Sequence, residues 1–406
     1  MELPKSSSLE IHESFMRECL ELAARAHGRT SPNPMVGAVV VDKAGNVVGR
    51  GYHQKHGQPH AEVHALNEAG EKAKGGTLYV NLEPCCHHGK TPPCSDKVIV
   101  SGVKTVICGM VDPNPVVAGG GIQALKDAGI EVFSSVLEAE CKLLNRGFIK
   151  RIKTGLPWVC LKLATTLDAK IADRHGGSRW ITGAEARHYV HQLRNLFDAV
   201  LIGTNTALID NPTLNVRDID NSRDPVKVLV DKDLTVSFES KIYTHKTTAR
   251  TLVITREDRA DRQLVDLPLV ELIGVPFEIS KPTAKVSQLA AGVPLRREDD
   301  KEQSRESIVL DLEEGLRQLV KRGINTVLCE GGGSLAGNMI DEGLVDEIIW
   351  IVAPKLLQDP LAVSALGGRA RNLNDAVALH QVSVKNLGQD VAYCALLPCG
   401  QTVLNS

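Results

Sequence analysis

The sequence predicts two consecutive α/β units, the first over residues 10–154 and the second over residues 155–400. Three observations lead to this prediction. At 406 residues the chain exceeds the length at which a single hydrophobic core usually stops growing. Short apolar runs alternate with helical periodicity along the whole chain, a pattern typical of sheets covered by helices. Finally, Gly155-Leu156-Pro157 interrupts a basic helix, and we place the boundary between the units there.

The first unit is expected to begin with a helix and continue with alternating strands and helices. Apolar residues recur at helical spacing over 13–27. The elements expected after this helix are a β-hairpin of 35–41 and 47–53, a helix of 61–73, strands of 77–82, 105–110 and 130–133, and a helix of 143–154. This order predicts a sheet with helices on both faces.

The second unit repeats the alternation without repeating the sequence. Its predicted strands are 158–163, 199–203, 226–230, 251–254 and 326–329, and its clearest helices are 184–194 and 310–322. A charged run over 294–307 is expected to be a solvated loop.

Composition favours a small-molecule substrate in a reducing compartment. The net charge of −2 provides no field for holding a polyanion, and 3% aromatic residues are too few for base-stacking platforms. Ten cysteines in a chain of this length do not make a disulfide scaffold, and four of them lie in apolar runs typical of buried thiols: Cys19, Cys108, Cys160 and Cys329. The polar first ten residues lack a signal-peptide core, and no apolar stretch approaches about 20 residues. We therefore expect a cytoplasmic protein with no nucleic-acid or membrane partner.

The strongest chemical motif is His60-Ala61-Glu62 followed by Cys85 and Cys94. One imidazole and two thiolates fill three corners of a zinc tetrahedron and leave the fourth for water. Glu62 stands where it can exchange protons with that water, an arrangement that zinc deaminases of nucleobases use. His60 is expected at the start of one helix and Cys94 at the start of another, so that two helix N-termini face the metal. The alternative is a closed structural site whose fourth ligand is Cys86, His87, His88 or His64.

A second motif, Glu330-Gly331-Gly332-Gly333-Ser334, follows an apolar strand and precedes a helix. Glycines in this position let backbone N–H groups approach a pyrophosphate at a helix N-terminus. The run does not match the spaced G-x-G-x-x-G fingerprint. Taken alone, it is more often a tight turn than a cofactor site.

The zinc motif closely resembles the deaminase domain of the bifunctional riboflavin-biosynthesis deaminase/reductase family. The resemblance lies in H-A-E-V-H-A-L and in L-E-P-C-C-H-H-G-K-T-P-P-C, where eight residues separate the zinc cysteines instead of the usual two. It implies a cytidine-deaminase-like three-layer αβα fold with catalytic Glu62 and with zinc on His60, Cys85 and Cys94. It also implies a substrate pocket lined by Asn33, His53, His87, Lys90 and Asn114. Cys86 departs from the serine common in the family and adds a second thiol beside the metal site.

The second unit resembles the reductase half of the same family, which is similar in fold to dihydrofolate reductase and uses NADPH. The resemblance lies in Leu161-Lys162-Leu163, Leu167-Asp168, Ser178-Arg179-Trp180-Ile181-Thr182 and Asp210-Asn211-Pro212-Thr213-Leu214. The cofactor residues that it implies are Ala164, Trp180, Thr206, Asp210, Gly332, Gly333, Ser334, Leu335, Ala336, Gly337 and Asn338. The substrate residues that it implies are Lys162, Ser178, Arg194, Leu214, Arg217 and Glu330. Ala169 replaces the usual glycine, which is tolerable unless the backbone there needs a positive φ.

The resemblance implies two reactions, with Zn²⁺ and NADPH as cofactors and phosphoribosyl pyrimidines as substrates. The first is hydrolytic deamination of 2,5-diamino-6-ribosylamino-4(3H)-pyrimidinone 5′-phosphate. The second is reduction of the ribosyl group of 5-amino-6-(5-phosphoribosylamino)uracil to ribityl. A homo-oligomer is the expected assembly. Two alternatives stay open: a deaminase of bases, nucleosides or tRNA with a specificity module, and a non-enzymatic protein with structural zinc and a nucleotide-sensing unit.

Overall fold

The computed structural model describes residues 6–87, 92–115, 117–261, 267–280 and 307–405. These residues form one five-stranded sheet, one nine-stranded sheet and two short two-stranded ribbons. Except for its last residue, the charged run of 294–307 lies outside the described residues.

The five-stranded sheet belongs to the first part of the chain and has the strand order β2-β1-β3-β4-β5. The hairpin strands β1 and β2 are antiparallel, β3 pairs antiparallel with β1, and β3, β4 and β5 are parallel. The elements in chain order are α1 (Ser6–Ala24), β1 (Gly37–Val41), β2 (Val47–Tyr52), α2 (Ala61–Ala69), β3 (Thr77–Val80), α3 (Cys94–Ser101), β4 (Thr105–Cys108), α4 (Gly120–Asp127), β5 (Glu131–Phe133), α5 (Glu138–Leu144) and α6 (Arg146–Thr154).

Glycines let two helices lie close against opposite faces of this sheet. A Cβ on Gly51 would stand 2.3 Å from the Ala61 carbonyl oxygen of α2. A Cβ on Gly37 would stand 2.0 Å from the Cys19 carbonyl oxygen of α1. Gly51 pairs with Ala38, the residue after Gly37, and successive residues of a strand face opposite sides. Helices α1 and α2 therefore cover opposite faces, and the close approach of α2 fixes the start of the helix that carries His60.

The helix predicted over 143–154 is two helices, α5 and α6, with Asn145 between them. The buried Asn145 side chain accepts a hydrogen bond from the Met35 amide at 2.8 Å and donates one to the Met35 carbonyl at 3.0 Å. The helix is thus interrupted at a residue that bonds to a partner 110 positions away, and the helical periodicity of the sequence does not reveal this contact.

The nine-stranded sheet belongs to the second part of the chain and has the strand order β11-β10-β9-β8-β14-β6-β15-β18-β17. Its elements are β6 (Trp158–Thr166), β7 (Lys170–Ala172), α7 (Ala184–Leu196), β8 (Ala199–Gly203), α8 (Thr204–Asp210), β9 (Val226–Val230), α9 (Lys241–Thr244), β10 (Thr251–Arg256), β11 (Val270–Val275), β12 (Phe277–Ser280), β13 (Ser307–Leu310), α10 (Leu312–Lys321), β14 (Thr326–Cys329), α11 (Gly333–Asp341), β15 (Glu347–Ala353), β16 (Val363–Ser364), β17 (His380–Leu387), β18 (Asp390–Leu396) and α12 (Pro398–Asn405).

Seven neighbouring strands, from β11 to β15, are parallel; β18 pairs antiparallel with β15, and β17 pairs antiparallel with β18. The predicted strands β8, β9 and β14 have the predicted bounds. Parallel strands are covered on both faces, which explains their nearly continuous apolar sequences. The carboxyl ends of β6, β8 and β14 meet at one edge of the sheet, where a ligand of such a fold is expected.

The predicted α/β fold class is confirmed. The four cysteines expected to be buried thiols, Cys19, Cys108, Cys160 and Cys329, are each fully buried. Within the described part of the chain, no helix combines the length and the apolar character that crossing a membrane requires.

Candidate active sites

The zinc motif of the sequence converges in space. Helix α2 begins at Ala61 with His60 as its N-cap, and α3 begins at Cys94, as the sequence predicts. The Nδ1 atom of His60 lies 3.2 Å from Sγ of Cys94 and 3.6 Å from Sγ of Cys85. The amide of Cys94 points at Sγ of Cys85, 3.4 Å away. Both helix N-termini therefore face the same small group of ligand atoms.

These three side chains fit a zinc ion. Zn–N and Zn–S bonds of about 2.0 Å and 2.3 Å in a tetrahedron place their ligand atoms about 3.5 Å apart. The ligand atoms of His60, Cys85 and Cys94 all lie within 4.8 Å of one another. A hydrogen bond from the Cys94 thiol and one from His60 lower the pKa of Cys85, which favours the thiolate that binds a metal.

A closed site with a fourth protein ligand finds no support among the described residues. The potential metal cluster there comprises His60, Cys85 and Cys94 alone. Sγ of Cys86 instead lies near Gly120, where an added Cβ would meet it at 2.9 Å. His88, one of the alternative ligands, lies outside the described residues.

Glu62 stands beside the three ligands in a buried position. Its side chain is almost fully buried, and its Oε2 atom has no hydrogen-bond partner among the described residues. Burial raises the pKa of this carboxyl, which makes it a better proton carrier than an exposed glutamate. An unpartnered buried carboxylate oxygen next to a three-ligand metal site is the arrangement that water activation requires.

A cavity of about 350 Å³ opens onto this group and holds most of the predicted substrate residues. Asn33, His53, His87 and Asn114 line it together with His60, Glu62 and Cys85. Lys90 lies outside the described residues. The lining of the cavity also includes one face of helix α6, formed by Phe148, Arg151 and Ile152, which the sequence analysis missed. The i, i+3, i+4 spacing of these three residues is the signal that could have identified them.

Two histidines orient the side-chain amide of Asn33. Nδ1 of His53 lies 3.1 Å from the Pro59 carbonyl oxygen and must carry the proton, because a carbonyl only accepts. Nε2 of His53 is therefore free to accept from Nδ2 of Asn33 at 3.1 Å. His56 lies 3.2 Å from Oδ1 of Asn33. Burial lowers the pKa of His53, which favours the neutral form that this hydrogen bond needs.

A buried carboxylate organises the loop that carries Asn114. Glu83 accepts hydrogen bonds from the amides of Asp112, Gly119 and Ile122 at 2.9–3.1 Å. Oδ1 of Asp112 accepts the amide of Asn114 at 2.8 Å. Burial raises the pKa of Asp112 to about 6. The side chains of Glu83 and Asp112, which also line the cavity, thus hold the backbone of this loop in place.

The second site lies at the carboxyl edge of the nine-stranded sheet. Glu330 directly follows β14. Arg194 of α7 donates two hydrogen bonds to its carboxylate, from Nε to Oε1 at 2.6 Å and from Nη2 to Oε2 at 3.0 Å. Nζ of Lys162 on β6 lies 3.9 Å from the same carboxylate. A cleft of about 790 Å³ contains these three residues with Ser178, Leu214 and Arg217, so all six predicted substrate residues of the second unit share one cavity.

A second cleft of about 750 Å³ adjoins the first and contains Thr206, Gly332, Gly333, Ser334, Leu335 and Asn338. Both clefts are lined by Ile171, Ser178 and Asp210, so ligands bound in the two clefts would meet at these residues. Ala164 and Trp180 line the first cleft instead of the second. The buried Ala336 packs in the core, and Gly337 packs on the backbone of Gly367, so neither lines a cleft.

The glycine run leaves backbone amides available to a nucleotide cofactor. Helix α11 begins at Gly333 with Gly332 as its N-cap and no side-chain cap, so amides of its first turn face the cleft without an intrahelical partner. A Cβ on Gly333 would stand 2.6 Å from the Ser364 carbonyl oxygen. Ile171, Thr204 and Lys232 also line this cleft and were missed, because no motif marks them.

Two protein-family descriptions match the two parts of the chain. Residues 9–110 match the zinc-binding region of cytidine and deoxycytidylate deaminases. Residues 157–393 match the RibD C-terminal domain. The deaminase match contains all three zinc-ligand candidates, and the second match contains both clefts.

Full-length relatives carry the same combination. The riboflavin biosynthesis protein RibD of Escherichia coli K12 is 39% identical over 392 residues, covering 93% of this chain and 97% of the relative. That of Aquifex aeolicus is 38% identical over 383 residues, covering 94% and 97%. The structure of the Thermotoga maritima deaminase/reductase superimposes with a TM-score of 0.80 at 35% identity, covering 96% and 99% of the two chains. The chain therefore belongs to the RibD family of bifunctional riboflavin-biosynthesis enzymes, with a zinc-binding deaminase domain followed by a reductase domain.

Proposed function

We propose that the first active site hydrolyses the 2-amino group of 2,5-diamino-6-ribosylamino-4(3H)-pyrimidinone 5′-phosphate and releases ammonia. The observation that carries this proposal is the buried Glu62 carboxylate beside His60, Cys85 and Cys94, whose Oε2 atom has no hydrogen-bond partner among the described residues. The Thermotoga maritima relative is described as a diaminohydroxyphosphoribosylaminopyrimidine deaminase, which supports the substrate. We assign this step to residues 10–154.

In this reaction Glu62 carries the protons. Zinc, when held by His60, Cys85 and Cys94, supplies the Lewis acidity that makes water nucleophilic near neutral pH. Glu62 removes a proton from the attacking water and delivers it to the leaving amino group, so one water is consumed for each ammonia released. Asn33 and Asn114 present amides to the edge of the pyrimidine, with His53 and His87 beside them, and Lys90 is assigned to the 5′-phosphate.

The second active site, within residues 155–400, is proposed to reduce the ribosyl group of 5-amino-6-(5-phosphoribosylamino)uracil to ribityl. NADPH supplies a hydride when bound, which the C=N bond of the ring-opened ribosylamine accepts together with a proton. Thr206, Asp210 and the cleft-lining residues of the 332–338 segment, namely Gly332, Gly333, Ser334, Leu335 and Asn338, are assigned to the dinucleotide, together with Ala164 and Trp180 of the first cleft. The remaining assigned residues bind the substrate: Lys162, Ser178, Arg194, Leu214, Arg217 and Glu330.

Charge supports this division of the two clefts. Lys162, Arg194 and Arg217 bring three cations to the substrate cleft, where a phosphate needs them, and Glu330 forms ion pairs with Lys162 and Arg194. Burial lowers the pKa of Lys162, and the nearby Glu330 carboxylate opposes that shift. The glycine-rich start of α11 suits the pyrophosphate of the dinucleotide.

One assay tests both steps together. Ammonia and NADPH are followed under anaerobic conditions on the diamino substrate, and we expect one NADPH consumed for each ammonia released, with ammonia appearing first. Replacement of Lys162 by alanine should abolish NADPH oxidation on the deaminated pyrimidine and leave ammonia release unchanged. Full reductase activity in that variant would remove Lys162 from the site, and ammonia release without any NADPH oxidation in the wild type would refute the second reaction.

The same proposal extends to assembly and location. Val382, Val384 and Tyr393 are exposed on the antiparallel edge of the large sheet, and Val384 and Tyr393 are paired across two strands. An apolar sheet face of this kind favours a second copy of the chain, and we infer a cytoplasmic homo-oligomer acting on small molecules. Sedimentation of the wild type against Val384→Lys tests this, and a wild-type monomer would refute it.

A further inference from the structure

The wall of the deaminase pocket is held by residues of the reductase unit. Asn325, immediately before β14, donates from Nδ2 to the Pro32 carbonyl oxygen at 3.1 Å. The hydroxyl of Ser31 donates to Oδ2 of Asp198, immediately before β8, at 2.8 Å. Pro32 and Asn33 both line the deaminase pocket. The two residues that precede Asn33 are therefore anchored about 165–295 positions away along the chain.

The anchor on the reductase side is itself well fixed. The same Oδ2 atom of Asp198 accepts the amides of Asn325 and Thr326 at 2.9 and 3.0 Å. The amide of Asp198 donates to Oγ1 of Thr326 at 2.9 Å. Asp198 and Asn325 are 7% and 3% exposed, so these bonds are shielded from water. The amino ends of β8 and β14 thus present a rigid pair of partners to the loop of the other unit.

Helix α6 completes the junction from the deaminase side. Nη1 of Arg151 donates to the same Pro32 carbonyl oxygen at 2.8 Å. A Cβ on Gly147 of α6 would stand 2.8 Å from the Asn325 carbonyl oxygen and 2.5 Å from Cγ2 of Thr326. Only glycine lets the helix approach β14 this closely. The Pro32 carbonyl is consequently shared by one donor from each unit.

We infer that Asn325 and Asp198 are positioning residues for deamination, acting from the reductase unit through Pro32 and Ser31 on the orientation of Asn33. This inference rests on the proposed role of Asn33 in reading the pyrimidine. The histidines fix the amide plane of Asn33, whereas the Ser31 and Pro32 contacts fix where its backbone stands. Recognition groups lose much of their effect when displaced by about 1 Å. The second unit is therefore part of what makes the first site competent.

The test uses full-length Ser31→Ala and Asn325→Ala variants. Ser31→Ala removes the hydroxyl donor and leaves both backbone bonds of Asp198 in place. Each change should raise the deaminase KM about fivefold, the factor that corresponds to one net hydrogen bond, with kcat within about twofold of wild type. The KM and kcat of the reductase step and the zinc content should not change.

Thr235→Val is the matched control. It removes a hydroxyl that donates to Oδ1 of Asp231 at 3.1 Å, just after the carboxyl end of β9 and so at the opposite edge of the sheet from Asp198, and it should leave the deaminase KM at the wild-type value. Unchanged deaminase KM in both Ser31→Ala and Asn325→Ala would overturn the inference, as would an equal loss of both activities. Asn33→Ala separates this failure from failure of the proposed site. If that change raises the deaminase KM and the other two do not, the site stands and the positioning role falls.

Discussion

Arg194 and Glu330 form a bidentate ion pair inside the reductase cleft, with Nε to Oε1 at 2.6 Å and Nη2 to Oε2 at 3.0 Å. Both side chains are largely buried, at 13% and 10% exposure. Burial alone would raise the pKa of Glu330, but Arg194 and Lys162 outweigh it and hold the pKa at about 2. The carboxylate thus remains charged in the folded state and keeps two cations oriented toward the cleft.

This pair predicts a pH dependence of stability. Because the pKa of Glu330 is lower in the folded state than in the unfolded chain, its contribution is complete above about pH 4.5 and is lost as the pH falls toward 2. Glu330→Gln should cost about 3 kcal/mol at pH 7, since it leaves two buried cations without their anion. Its free energy of unfolding should also fall less steeply than that of wild type between pH 5 and pH 2. Urea unfolding at several pH values measures both effects.

Glu313→Gln is the control for this experiment. Glu313 pairs with Arg317 at 2.5 Å on the surface of α10, and half of its side chain is exposed. Exposed pairs contribute about 0–1 kcal/mol, so this variant should follow the wild-type curve. Parallel curves for wild type and Glu330→Gln would contradict the assigned pKa.

Glu62→Gln separates proton transfer from metal binding. Glutamine has nearly the shape of glutamate but cannot accept a proton from water, so ammonia release should fall by about 10²- to 10⁴-fold. The zinc content should stay at the wild-type level, because Glu62 is not among the three clustered ligands. Reductase activity on the deaminated pyrimidine serves as the internal control. Unchanged ammonia release would assign the proton transfer to another group.

The neighbouring cysteines offer a matched pair of variants for the metal site. Cys85→Ser removes a thiolate from the cluster and should weaken zinc binding by about 100-fold or more. Cys86→Ser restores the residue common in the family and should keep zinc, since Sγ of Cys86 lies near Gly120 instead of in the cluster. Metal analysis after dialysis against a chelator measures both. Zinc loss from Cys86→Ser would show that this thiol is a ligand.

The sequence predicts what depends on local pattern. The spacing of His60, Cys85 and Cys94 identifies the metal site, and strands buried on both faces, such as β8 and β14, are marked by continuous apolar runs. Strand β17 escapes prediction because most of its residues are exposed and only pairing with β18 makes it a strand. The helix break at Asn145 and the Asn325–Pro32 bond escape for a related reason. Both depend on hydrogen bonds over more than 100 residues of chain, which no window of sequence contains.

Ala169 occupies a backbone conformation that favours glycine. Its φ is 58°, and the turn is held by its amide on the Thr166 carbonyl and by its own carbonyl on the Ala365 amide, each at 3.0 Å. The left-handed region destabilises an alanine by about 1–2 kcal/mol relative to glycine. Glycine, however, loses more conformational entropy on folding, which offsets about half of this difference. Ala169→Gly should therefore stabilise the protein by about 0.5–1 kcal/mol, seen as a small rise in Tm.

The expected sign is opposite at Ala124, inside helix α4, where Ala124→Gly should destabilise by about 1 kcal/mol. A decrease in Tm for Ala169→Gly would mean that alanine is better suited to this turn than its φ implies. The turn joins β6 to β7, which leads into Ile171 between the two clefts, so reductase kinetics measured on the same variant also report whether this strain affects catalysis.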